Sequence, residues 1–489
     1  MSDVCLVLEG TYPYVRGGVS GWVHEIITKM PDIKFSILSI MPRPADTRDE
    51  RYELPGNVQS LINIYIHDHH FRPHLYKRAT PRIFEYFELF YRGIEEVSRE
   101  KMELFLLELL KERGRLDLVH AFSSREFWNA VLALYEKGDA TVSFLDYFWN
   151  YRFTFLPLMQ ILKATLPPAP LYHTISTGYA GVACALAKIK FNSNMLVTEH
   201  GIYTKERRIE IAQAGWLYER KSEYIKATEE LGFFRDWWMR YFEVMSKLAY
   251  AYADNITTLY EGNRRSQIND GADPQKISII PNGVDVDAFR EISDKRQKKE
   301  KRRQIAFVGR IVPIKDVKTL IKACKIIVQR LSDVEILFVG PQEEESQYYH
   351  ECTALIRMMG LEKNVVFTGY VNTKEYYPTI DVIMLTSISE AQPLVILEAA
   401  ACGIPAVSSD VGSCRELIEG KTPEDRALGP GGIVCPFHSP EKTAEAVIRL
   451  LTDDRLYEDA SAAARVRVEK YYQQRDMINA YRNLYELYI

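Results

Sequence analysis

Two glutamates, Glu390 and Glu398, are separated by seven residues in "ISEAQPLVILEAAACGIPAVSSD" (388–410), and the second is embedded in apolar sequence. Pro393 suits the first turn of a helix that carries Leu394, Val395, Ile396, Leu397 and Glu398 before Gly403 and Pro405 end it. An ionised carboxylate among residues that call for burial costs on the order of several kcal/mol unless it is paired or hydrogen-bonded. Two neighbouring hydroxyls can both donate to one carboxylate, so a ribose diol would satisfy Glu398; a structural salt bridge is the other reading. Glu390, about two turns away in the loop, would then hold further sugar hydroxyls. Unsatisfied N–H groups near Leu394 and Val395 would face phosphates between them.

Two cations stand in "FVGRIVPIKDVKTLIKA": Arg310 just past an apparent strand, and Lys315 five residues on, before a helix that begins near Asp316. The carboxyl ends of parallel strands are where open α/β sheets bind ligands, so Arg310 and Lys315 together could clamp a diphosphate. Ordinary surface charge is the alternative for either alone. Near the N-terminus, "LEGTYPYVRGGVSGWVHEII" places Gly17, Gly18 and Gly21 between a strand and a helix from about residue 19. Such a loop offers N–H groups to an anion, although glycines also mark tight turns without ligands. A dinucleotide fingerprint would need GxGxxG and an acid ~20 residues later, and the loop is mis-spaced for it.

Other polar clusters read less sharply. His173 and His200 end apparent strands, as does the rival His120, and any of them reads equally as a core histidine. Asp285 and Asp287 in "VDVD" suit a turn and cap better than a metal. His67, His69 and His70 in "HDHH" have no well-spaced cysteine or helical histidine partner and read as loop. No metal is expected.

The elements that must position these residues show in the apolar pattern. Continuous runs such as "VCLVLEG" (4–10), "KFSILSI" (34–40), "INIYIHD" (62–68), "LDLVHAF" (116–122), "LYHTIS" (171–176) and "MLVTEHG" (195–201) suit strands covered on both faces. "NITTLY", "KISIIPNG", "QIAFVGR", "EILFVGP", "VVFTGYV", "DVIMLTS" and "PAVSSD" continue the series. Between two of them, Val317, Leu320, Ile321, Cys324, Ile327 and Leu331 fall on one helical stripe, so βαβ units recur in both halves. The charged run "REISDKRQKKEKRR" marks a domain boundary, with 1–290 before it, 291–472 after it, and a last helix at about 473–489 crossing back. An aromatic-rich helical stretch at about 71–170 interrupts the first half and, with "GFFRDWWMRYFEVM" (232–245), reads mainly as core, with an acceptor cleft or partner surface as the other reading.

With 489 residues, two or three domains are expected. The net charge of −4 supplies no global attraction to nucleic acid. Seven scattered cysteines without a CxxC pair suit a reducing compartment. With no signal-like N-terminus and no apolar stretch of about 18 residues, a soluble cytoplasmic protein is expected.

Taken together, "SISEAQPLVILEAAACGIPAVSSDVGSCRELI", "IAFVGRIVPIKDVKTLIKA", "ISIIPNGVDVDAF" and "GGVSGWVHE" resemble the GT-B glycosyltransferases of family four. "EGTYPYVRGGVSGWVHE" and "STGYAG…TEHGIYTKER" are most similar to its members from Pel-type exopolysaccharide synthesis. The resemblance implies two Rossmann-like, doubly wound parallel-sheet domains facing a cleft. It implies metal-independent, configuration-retaining transfer of a hexose or N-acetylhexosamine from UDP-glucose or a UDP-N-acetylhexosamine to a growing polysaccharide. It assigns Arg310 and Lys315 to the leaving diphosphate, Glu398 to the ribose, Glu390 to the transferred sugar, and Gly17 and Gly18 to the phosphates from the opposite domain. His173 aligns with a histidine near the reacting sugar, and Glu199, His200 and Arg207 fall on the acceptor side. Recruitment to an inner-membrane polysaccharide synthase complex is a further implication. The family pattern places Gly and an aromatic after the first glutamate, where this chain has Ala391 and Gln392. Two other classes fit paired carboxylates. A glycoside hydrolase would set its pair about 5 to 9.5 Å apart across the scissile bond, and a non-catalytic nucleotide-sugar-binding regulator would share the fold.

Overall fold

A computed structural model describes residues 2–47, 49–67, 83–111, 125–137, 142–213, 226–294 and 303–489. His69, His70, His120, the strand expected at 116–122 and most of the charged run lie outside the described residues. The chain forms two compact units. One comprises Met1–Thr258, Arg264–Ile279 and Arg482–Ile489, the other Leu259–Asn263 and Ile280–Tyr481.

The first unit is built on a seven-stranded parallel sheet of β1 (Val4–Glu9), β2 (Phe35–Met41), β3 (Val58–Tyr65), β4 (Leu171–Thr174), β5 (Asn194–Glu199), β6 (Asn255–Thr258) and β7 (Ile277–Ile279). Its order is β3-β2-β1-β4-β5-β6-β7, so the winding reverses between β1 and β4. All seven residues of β2 are buried, as a strand covered on both faces requires.

Between β3 and β4 lie four described helices, Ile83–Glu95, Arg99–Lys111, Arg125–Lys137 and Phe144–Lys163. Ser143 starts the last of them by accepting from the Asp146 N–H at 3.2 Å. The aromatic surplus is core here. Phe90 meets Phe155 edge-to-face with centroids 5.0 Å apart, and Tyr151 donates to the Phe87 carbonyl at 2.8 Å. Helix Lys226–Tyr252 closes the cluster, with Tyr241 donating to Thr154 O at 2.8 Å. The unit is completed by the end of helix Gln474–Tyr488: Arg482 grips Asp32 through two nitrogens, and Asn194 donates to Tyr488 O at 2.7 Å.

The second unit holds six parallel strands: β8 (Gln304–Val308), β9 (Glu335–Val339), β10 (Val365–Gly369), β11 (Val382–Leu385), β12 (Ala406–Ser409) and β13 (Gly432–Cys435). Their order is β10-β9-β8-β11-β12-β13, and the switch point falls between β8 and β11. The sequence pattern does not mark β13, a four-residue strand that follows a glycine cluster. Residues 280–290 belong with this unit and not, as the charged run suggested, with the first; Val284, Val286 and Phe289 are buried in its core. Asp285 accepts from the Ala288 N–H at 3.1 Å at the start of helix Val286–Asp294, a cap that accounts for it. All seven cysteines are free and buried. No helix among the described residues is long and apolar enough to cross a membrane.

Candidate functional site

The loops that leave β8 and β11 carry the charged residues singled out in the sequence, and strand order brings those loops together. Lys315 Nζ donates to Glu390 Oε1 at 2.5 Å, and the same oxygen accepts from Ser387 Oγ at 2.6 Å. The pair is mostly buried, with side-chain exposures of 20% and 10%. Backbone bonds fix both loops: Ile388 N–H donates to Ile314 O at 2.9 Å, and Thr386 Oγ1 to Asp316 O at 3.0 Å. Asp316 has a left-handed backbone (φ 46°), accepts from Thr319 N–H at 3.3 Å to cap helix Val317–Arg330, and pairs with His438 at 2.6 Å.

A third loop closes on the same place. Gly412 has φ 55°, and a Cβ there would lie 2.0 Å from the Glu390 carbonyl oxygen, so only glycine allows this approach. The Ser413 N–H donates to Ala391 O at 2.9 Å. Gln392, where the family pattern has an aromatic, accepts from the Asn282 N–H at 2.6 Å and so pins the Pro-Asn-Gly turn. Its job is local backbone anchorage.

Glu398 lies in helix Leu394–Ala401, whose N-cap is Pro393. No side chain caps that helix start, so the first N–H groups there are unclaimed by a cap. The helix ends as the sequence indicates: Gly403 adopts φ 66° and the Ile404 N–H donates back to Ala399 O at 2.8 Å. Glu398 is partly buried, and burial pushes its carboxyl above the usual range while the hydroxyl of Tyr377 draws it down. Tyr377 donates to Oε2 at 2.5 Å. Among the described residues the other carboxylate oxygen has no hydrogen-bond partner. Tyr377, itself fully buried, escapes sequence reasoning, although a carboxylate in an apolar helix demands such a donor.

Arg310 stands apart from this group. Its guanidinium pairs with Glu344 at 2.5 Å, and both side chains are about half exposed. A surface pair of that kind is worth about 0–1 kcal/mol and gives way to a stronger anion. Behind it, the backbones of Gly309 and Gly340 approach so closely that a Cβ on Gly340 would meet Gly309 O at 2.3 Å.

The residues of the first unit divide into open and sealed. Gly17 and Gly18 are exposed at the start of helix Gly18–Lys29, which has no side-chain cap and no acid in its first turn. A Cβ on either would meet nothing within 4 Å. His173, by contrast, is fully buried; Nδ1 meets Tyr485 OH at 2.8 Å and Nε2 meets Thr198 Oγ1 at 2.7 Å. Burial drives its pKa down to about 3. With both nitrogens engaged it holds the C-terminal helix on the sheet, which corrects the expectation of a histidine facing a reacting sugar. Glu199 is likewise sealed, accepting from Thr177, the Tyr203 N–H, Tyr250 and Gln267. It is a strut and not a surface for an acceptor. His200 is partly buried with its ring 4.8 Å from Trp22, and burial lowers its pKa to about 4. Arg207 lies over the Tyr203 ring and pairs with Glu210 at 2.7 Å.

Residues 2–275 match the family model described as Domain of unknown function (DUF3492), which covers more than half of the chain. The chain belongs to this family. Beyond the DUF3492 segment, residues 288–467 match the model described as Glycosyl transferases group 1, the stretch that carries Arg310, Lys315, Glu390 and Glu398. The D-inositol 3-phosphate glycosyltransferase of Corynebacterium glutamicum is 30% identical over 215 residues, 40% of this chain and 49% of its own. That of Kineococcus radiotolerans is 29% identical over 233 residues, 44% and 53%. The chain thus spans about half the length of the curated relatives it matches. Among solved structures, Anabaena HepE in complex with UDP and glucose superposes with a TM-score of 0.58 at 14% identity over 99% of both chains. Sucrose-phosphate synthase of Thermosynechococcus elongatus gives 0.58 at 17% identity, covering 100% of this chain and 99% of that one. At such identities the likeness is one of fold: two Rossmann-like parallel-sheet domains of the GT-B type.

Proposed function

We propose that the protein is a glycosyltransferase that binds a UDP-sugar at the switch point of its second unit and transfers the sugar to a growing glycan. The observation that carries this reading is the mostly buried Lys315–Glu390 pair between the β8 and β11 loops, eight residues ahead of a carboxylate with one open oxygen. A diphosphate would draw Lys315 from Glu390, join Arg310, and take the N–H groups at Leu394 and Val395. Glu390, released from its cation, would accept from hydroxyls of the sugar. The ribose would donate to the open oxygen of Glu398, which Tyr377 holds in place. Fixed cations and amide dipoles are what a departing diphosphate needs, since its charge grows in the transition state. On this reading the reaction retains configuration and needs no metal.

The finer assignment rests on the sequence resemblance: the glycine loop and "TEHGIYTKER" favour PelF, acting on a Pel-type exopolysaccharide beside an inner-membrane synthase complex. Which UDP-hexose or UDP-N-acetylhexosamine serves is decided by a turnover screen of UDP-sugars that follows UDP release. Calorimetry with UDP tests the donor site itself. Lys315→Ala and Glu398→Ala should each weaken binding about tenfold or more, which corresponds to about 1.4 kcal/mol. Equal affinity in both variants and the parent would remove the site.

A further inference from the structure

Between its helical insertion and helix Lys226–Tyr252 the first unit holds a cavity of about 310 Å³ that the donor site does not use. Its aromatic wall is made by Tyr91, Tyr147, Phe233 and Trp237, with Tyr91 and Trp237 centroids 5.3 Å apart and Phe233 stacked on Trp237 at 6.5 Å. Glu95, Asp236 and Arg240 also line it, and all three are exposed, so an apolar interior opens through a charged mouth. Arg240 is steered there by donating to Glu95 O at 3.0 Å. Trp237 is 6% exposed, and among the described residues its indole N–H finds no acceptor.

We propose that this cavity binds a neutral saccharide segment of the acceptor, its sugar faces against the aromatic rings and its hydroxyls on Glu95, Asp236 and Arg240. Flat aromatic walls match the apolar C–H faces of a pyranose, while a few placed polar groups give orientation. Two carboxylates against one guanidinium at the mouth repel phosphates, which excludes a nucleotide. A lipid chain would offer those three charged groups no hydrogen bonds. The role as an acceptor subsite rests on the transferase reading; saccharide binding does not.

The test is saturation-transfer NMR and calorimetry on the full chain with maltotetraose, cellotetraose and chitotetraose, with UDP titrated into the same samples. At least one oligosaccharide should bind, and Phe233→Ala and the paired surface change Glu95→Gln with Asp236→Asn should each weaken it at least fivefold while UDP affinity stays unchanged. The second variant alters only exposed side chains and guards against loss of fold. Failure of all three sugars to bind, or binding indifferent to both variants, overturns the proposal even if UDP binds. Saccharide binding without UDP binding upholds the cavity and overturns the donor site instead.

Discussion

Lys315 carries its charge against Glu390, so on the proposed reading a diphosphate exchanges one ionic partner for another and does not bury a bare cation. Removing either side of a mostly buried pair leaves the other uncompensated, and the two variants should differ in what they lose. Lys315→Ala should weaken UDP itself, whereas Glu390→Gln should leave UDP binding within about threefold and lower turnover of the UDP-sugar by about tenfold or more. Parallel calorimetry and UDP-release assays separate the two. Tyr377→Phe deletes one hydroxyl from a packed ring; with Glu398 no longer oriented, UDP affinity should fall about three- to tenfold with little change in melting temperature. Full affinity in this variant would mean that Glu398 does not read the ribose. The charged residues of the candidate site stand out in the sequence because a carboxylate in an apolar helix and two cations after a strand are local anomalies. Tyr377, Ser387 and Gln392 were not, since their roles depend on partners brought near only by the fold.

At the scale of elements, strand runs and helix stops were readable because burial on both faces and glycine at left-handed positions leave direct marks. Gly403 ends its helix as its spacing suggests. Gly412 carries no such mark, yet three loops converge through it. Gly412→Ala combines an adverse φ of 55° with a Cβ 2.0 Å from Glu390 O, and neither contact can yield without moving the Glu390 loop. We expect a loss of about 2–4 kcal/mol in denaturant unfolding of the second unit, together with weakened UDP binding. His173 stays open between two readings in the sequence because the end of a strand is both a ligand-bearing edge and a core position. The partner that decides between them, Tyr485, lies 312 residues away.

For the whole molecule, the C-terminal residues Arg482–Ile489 are part of the first unit, and His173 is where they lock. The unfolded chain takes up a proton on His173 near the ordinary histidine value, but the folded chain does so only at about 3. Between those values the unfolded state binds more protons, so stability falls as the pH drops from about 6.5 toward 3. His200, lowered to about 4, adds to the same trend. Thermal melts should show that acid limb, and His173→Gln should flatten it while lowering stability near neutral pH by about 1–3 kcal/mol. An unchanged acid limb in the variant would show that His173 is not the buried neutral group. The most direct measurement of the central claim is a crystal structure of the chain soaked with UDP. It should show the ribose hydroxyls on Glu398, the diphosphate at the start of helix Leu394–Ala401, and Lys315 Nζ moved from Glu390 onto a phosphate oxygen. UDP bound elsewhere, with the Lys315–Glu390 pair intact, would contradict it.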